Sequence, residues 1–131
     1  MLGYFDQKDG NPKIVISIKG TRRISKQIPA LFDTGHTGSL SLPIIDLVEI
    51  GAKLSGIGQV TLADGNTKPQ LYFSVKVMID NIEKEVEAAL IENPEAKEAI
   101  AGLELFAPYL AIIDFNNKIL RFVKSKDEKT K

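Results

Sequence analysis

From Pro12 to Gly20 (PKIVISIKG) β-branched residues partly alternate with polar ones and stop at glycine, which predicts a strand. A second apolar stretch, Ser25 to Asp33 (SKQIPALFD), follows after a few polar residues, and the pair reads as a hairpin. The period then changes. Across SLPIIDLVEIGA (Ser41 to Ala52), Ile44, Leu47 and Val48 share one helical face, Pro43 suits a first turn and Gly51 suits the stop. Two apolar-alternating arms between Ile57 and Ile79 flank Asp64-Gly65-Asn66, a strong local hairpin signal. Pro69 puts the start of the second arm at an edge or bend, and Asp80-Asn81 reads as another tight turn.

The stretch IEKEVEAALIENP, from Ile82, carries two periods at once. Ile82, Val86, Ala89 and Leu90 fit a helical stripe, whereas Ile82, Val86, Ala88 and Leu90 fit one face of a strand. Its composition favours a helix on local grounds. Pro94 is expected to open a short helical turn, and the run from Leu110 to Val123 reads as a closing hairpin that turns at Asn116-Asn117. KSKDEKTK, residues 124–131, reads as a solvated, disordered tail behind a single domain of residues 1–123. The class is mostly β with one or two short helices, and so many short strands suit a closed or nearly closed sheet.

Composition narrows the function. Lys+Arg and Asp+Glu balance at 17 each, which argues against binding nucleic acid through a broad basic surface. Cysteine is absent, which excludes disulfides, thiolate catalysis and zinc-thiolate sites, and the lone His36 is a poor metal ligand. No cofactor or metal is expected. No apolar run approaches the ~18 residues of a membrane span. MLGYFDQKDGNPK lacks the basic start and apolar middle of a signal peptide, so no membrane role and a cytoplasmic location are the default expectations.

The chemically informative stretch is ALFDTGHTGSLSLP, Ala30 to Pro43. It sets an acid at the end of an apolar run, where burying an unpaired carboxylate is costly. Asp33 either opens a turn by bonding its own backbone, or is a carboxylate that some chemistry needs held in a dry place. Far along the chain comes Ile100-Ala101-Gly102, an apolar pair closed by glycine and followed by Leu103 to Phe106.

In that order these segments resemble the single-lobe, retroviral-type (retropepsin-like) aspartic proteases, and their bacterial and archaeal relatives more closely. The motif there runs apolar-Asp-Thr-Gly-x-x-Gly-x-x-x-Leu-Pro. The likeness covers Asp33-Thr34-Gly35, Gly38, Leu42-Pro43 with the helix behind them, VTLADGN, the apolar-apolar-Gly segment and IIDFNNKILRF. It implies a closed or nearly closed β-barrel-like acid-protease fold, a peptide or protein substrate and hydrolysis of peptide bonds.

The resemblance also assigns roles. Asp33 would be the catalytic carboxylate, and Thr34 would direct its hydroxyl into a network locking two active-site loops. Gly35 would let a backbone amide approach the carboxylates. The hairpin around Asp64 and Gly65 would be the substrate flap. Ile100 to Gly102 would cross behind the loop, with Leu103 to Ala107 the short helix after it, and Ile82 to Leu90 would become a strand. Val60, Leu62 and Tyr72 are candidates for pocket walls.

Such chemistry needs two carboxylates about 3 Å apart sharing one proton. No other aspartate in the chain is followed by Thr-Gly or Ser-Gly, so activity implies a homodimer with Asp33 facing Asp33. Two residues depart from the pattern: His36, where a small or apolar residue is usual, and Ala101, where a larger aliphatic is usual. A protonated His36 beside the dyad would oppose the shared proton, and a loop histidine turned elsewhere is the simpler expectation. Glu104 is expected to favour the start of a short helix through its dipole. The alternatives are a non-catalytic dimerisation or peptide-binding module on the same fold, and an unrelated barrel in which Asp33 is solvent-exposed.

Overall fold

The computed structural model describes residues 1–124. Its elements are β1 (Tyr4–Phe5), β2 (Pro12–Lys19), β3 (Ser25–Phe32), β4 (Leu40–Pro43), α1 (Ile44–Ile50), β5 (Lys53–Thr61), β6 (Thr67–Ile79) and β7 (Ile82–Ile91). Then come β8 (Ala99–Ala101), a single 3₁₀ turn (Leu103–Phe106), β9 (Tyr109–Asp114) and β10 (Ile119–Lys124). Strand alternation builds the core: Ile14, Ile16 and Ile18 of β2, Ile28, Ala30 and Phe32 of β3, and Val75 and Val77 of β6 all point inward.

Six strands close into a barrel in the order β2-β3-β8-β4-β7-β6, with β6 returning to β2 through Ser17↔Met78, Ile18↔Val77 and Lys19↔Lys76. Closure leaves two hairpins attached to the barrel. β5 pairs only with β6 and forms a projecting arm. The β9–β10 hairpin folds under one end, its Leu120 and Phe122 entering the core. Pro69 lies where β6 has β5 on one side and has not yet met β7, whose pairing begins at Tyr72↔Ala89, the kind of edge position where proline is tolerated.

Most expected elements are present. The stretch from Ile82 is a strand, β7, as the resemblance implied and against the helix its local composition favours. It is paired along both edges, with β6 and with β4, and that pairing outweighs a propensity difference of a few tenths of a kcal/mol per residue. Pro94 sits in a single turn rather than a helical one. There Asn93 Oδ1 accepts the Glu95 N–H at 2.9 Å, and the Asn93 carbonyl accepts that of Ala96 at 3.0 Å.

The helix α1 starts after Pro43 and ends at Gly51, whose φ of 65° is the left-handed stop a glycine supplies. Its buried face is Asp46, Leu47 and Ile50, however, while Ile44 and Val48 are exposed. Asp46 is tolerated there because Lys26 of β3 reaches it at 2.7 Å. Finally, Lys124 closes β10 and belongs to the domain; the rest of the expected tail lies outside the described residues. Among the described residues no helix is long and apolar enough to cross a membrane.

One charge cluster ties the chain's start to the barrel. Lys13 is 4 % exposed, and its ammonium meets Asp6 at 2.8 Å, Asp9 at 2.9 Å and Glu98, the residue just before β8. Hydrogen bonds to Asp6, Glu98 and Asp9 push Lys13 well above the usual lysine range, and the bonds from Lys13 hold Asp6 and Asp9 below the usual carboxylate range.

The raised lysine stabilises the fold fully below its unfolded pKa of ~10.4, and the depressed aspartates do so above theirs of ~3.9. The cluster is therefore at full strength between those limits and weakens as pH falls through the folded aspartate values. Lys13→Met leaves the carboxylates repelling one another and lowers stability near neutrality. The gap to the native protein narrows as pH falls below the ordinary aspartate range and on through the depressed values of Asp6 and Asp9. Urea unfolding of both proteins at neutral and acid pH checks this.

Candidate active site

Phe32, the last residue of β3, is 5 % exposed and fixes the position of Asp33. Its ring meets Phe106 and Phe122 edge-on at 5.1 Å each, and those two stack at 4.7 Å. This aromatic plug is built from β3, the 3₁₀ turn and β10, so three separate segments seat the strand end below the acid.

Beyond it the loop is stitched to the segment crossing behind. Asp33 N–H donates to the Ala101 carbonyl at 3.1 Å. In return Gly102 N–H reaches Ser39 at 2.9 Å, Leu103 N–H reaches His36 at 2.9 Å and Glu104 N–H reaches Gly38 at 3.3 Å. Register places β8 between the two strands that flank the loop, parallel to β3 (Phe32↔Ala101) and antiparallel to β4 (Leu40↔Ala101). Ala101 is fully buried in that position.

Gly102 makes the clasp possible. Its φ of −102° suits any residue, so the requirement is space. A Cβ there would run into the Gly38 carbonyl oxygen and lie 2.6 Å from that of His36.

Within the loop Asp33 makes the turn contact expected of an Asp-x-Gly sequence: Oδ1 accepts the Gly35 N–H at 2.9 Å. Its own carbonyl accepts the His36 N–H at 3.2 Å. Asp33 is half-buried, in contrast to the fully exposed acid an unrelated barrel would carry, while Thr34 and Gly35 are exposed. A Cβ on Gly35 would stand 3.3 Å from Asp33 Oδ1, crowding the carboxylate that its amide approaches. The turn function and a presented carboxylate are thus compatible, since the turn contact uses one of the two oxygens.

His36 turns along the loop. Its Nε2 lies 3.3 Å from Ser41 Oγ and its ring covers Gly102. Glu104 stands in the first turn of the 3₁₀ helix and accepts the Ser39 hydroxyl at 3.3 Å.

Asp64 and Gly65 form the tip of the β5–β6 arm. Asp64 Oδ1 accepts the Asn66 N–H at 2.9 Å, and Gly65 has a φ of 88° that an L side chain would strain. The tip is not part of the wall near Asp33. The arm's stem is: Val60 and Tyr72 face residues 36–41 across a groove of about 300 Å³, whose third side is Ala89 of β7. Leu62, a candidate for that wall, lies in the turn and is outside it.

Sequence reasoning missed Ala89 and Glu87 as groove residues, because the strand face it weighed in this stretch was Ile82, Val86, Ala88 and Leu90, the opposite one. It also missed the Phe106–Phe122 pair, which no local spacing links.

Gly102→Ala forces the clasp apart and costs about 1–3 kcal/mol of stability. Gly56→Ala, where a methyl group would meet open space, has a much smaller effect. Urea denaturation of the two variants checks the contrast.

No protein-family model matches this chain, and no curated protein matches it either, so the geometry of the site carries the functional reading.

Proposed function

We propose that the protein is an aspartic endopeptidase of the single-lobe retroviral type, assembled as a homodimer with Asp33 of each subunit meeting at the two-fold axis. The observation that carries this reading is the presentation of Asp33. One half-buried carboxylate stands on a loop whose backbone is bonded at both ends to residues 101–104. Rigid placement of that kind is what a carboxylate pair needs, since sharing one proton depends on holding two acids about 3 Å apart.

In such a pair the ionised Asp33 takes a proton from water as the water oxygen attacks the scissile carbonyl carbon. The protonated Asp33 of the partner subunit hydrogen-bonds the carbonyl oxygen and gives up its proton as the tetrahedral intermediate forms. Collapse of the intermediate breaks the C–N bond, with a proton passing to the leaving nitrogen. The two apparent pKa values belong to the pair. In this reading the hydroxyl of Thr34, exposed on the same loop, would bond across the axis, and an extended peptide would run past the stem of the β5–β6 arm.

A surface for the second copy supports the same reading. On the outward face of the β9–β10 hairpin Leu110 stands opposite Val123, at 56 % and 42 % exposure. Phe122, next to Val123 on β10, points the other way and packs on Phe32, so the hairpin that carries this apolar face is itself fixed to the strand before Asp33. The second reading, a peptide-binding module without catalysis, is favoured by the Gly35 amide bond to Asp33, which an ordinary turn acid also makes.

A mixed peptide library incubated between about pH 3 and 7 separates the two. Cleavage by the native protein that falls at least about a hundredfold in Asp33→Asn supports the peptidase. A folded dimer that binds peptides without cleaving any supports the module. Leu110→Asp with Val123→Asp is expected to shift the protein to monomer in sedimentation and to abolish cleavage in parallel; a persistent dimer would place the interface elsewhere.

A further inference from the structure

The groove beside the Asp33 loop has a chemistry that the peptidase reading leaves open. Its floor is small. Ala89 pairs with Tyr72 across β6 and β7, and on β5 Gly58 pairs with Gln70. A Cβ on Gly58 would come within 3.0 Å of the Tyr72 ring, so glycine there lets the ring lie along the strand as one wall. The volume suits a single long side chain.

The strand side of that slot offers acceptors, while its loop side carries the hydroxyls of Thr37, Ser39 and Ser41. Gln70 commits its amide nitrogen to the carbonyls of Leu71 and Leu90, at 3.2 and 2.9 Å, and its oxygen is the group it can offer. Glu87 stands on the rim, exposed and on the same face of β7 as Ala89. Its Oε2 accepts the Ser55 hydroxyl at 3.3 Å, a contact that orients the carboxylate without neutralising it. A carboxylate, a spare amide oxygen and an aromatic face beside small residues form a receptor for a cation on a long stem.

We propose, building on the substrate path inferred above, that this slot selects peptides with an arginine or lysine side chain close to the scissile bond. Glu87 is the counter-charge, and Tyr72 is the surface along which the side chain lies. His36 lies at the loop end of the same slot, and all peptides are compared at one fixed pH.

Fluorescent extended peptides carrying Arg, Gln, Leu or Glu at each position in turn are titrated against Asp33→Asn protein by anisotropy. At one position the Arg peptide should bind roughly fivefold tighter than the Leu peptide. Adding Glu87→Lys should reverse the order in favour of Glu, whereas Glu83→Lys, on the same strand but outside the slot, should keep it. Equal binding of Arg and Leu peptides, survival of the Arg preference in Glu87→Lys, or no binding of any peptide overturns the proposal. The readout does not need cleavage, so a native protein that binds these peptides without cutting them counts against the peptidase reading alone.

Discussion

The backbone clasp between the Asp33 loop and residues 101–104 is the constraint on which the rest of the molecule depends. Strand β8 enters between the two strands that flank the loop, and four backbone N–H groups then join the two segments. Without it, the acid would sit on a loop free to splay, and a carboxylate that moves by an ångström cannot share a proton reliably with a partner. The clasp works only because residue 102 has no side chain.

Packing and charge both reinforce that arrangement. Phe32, Phe106 and Phe122 lock the strand end, the turn after the crossing strand and the closing hairpin into one block. On the far side of β8, Glu98 is held by Lys13, so the crossing strand is anchored just before it enters the barrel. Ala99 and Ala101 are fully buried within it, with Phe32 and Leu40 flanking Ala101 in register. The same barrel carries a groove lined by residues 36–41 and, on the β9–β10 hairpin, the exposed pair Leu110 and Val123.

Much of the fold was legible in the sequence because its signals are local. Alternation marked β2 and β3, while Asp64-Gly65-Asn66 and Asp80-Asn81 marked hairpin turns, the latter pair with φ of 50° and 66°. Pro43 and Gly51 bracketed the helix. What local pattern does not contain is which edges a segment will find. The residues from Ile82 to Ile91 are good helix formers that became a strand because β4 and β6 both paired with them. The face of α1 was misread for a related reason: Asp46 goes inward to meet Lys26, twenty residues earlier, and Val48 turns out. For the site, Asp33 and the Ile100-Ala101-Gly102 segment were readable as motifs. Their contact rests on pairings some seventy residues apart, and Glu87 became visible only once β7 was a strand.

The claim that one active site is made from two identical chains predicts a specific non-linearity. Native protein mixed with Asp33→Asn protein and left to exchange subunits should lose cleavage as the square of the native fraction, because only pairs with two intact carboxylates react. Cleavage that falls in simple proportion to the native fraction, under conditions where exchange is shown to be complete, would contradict a shared site and mean that each chain acts alone.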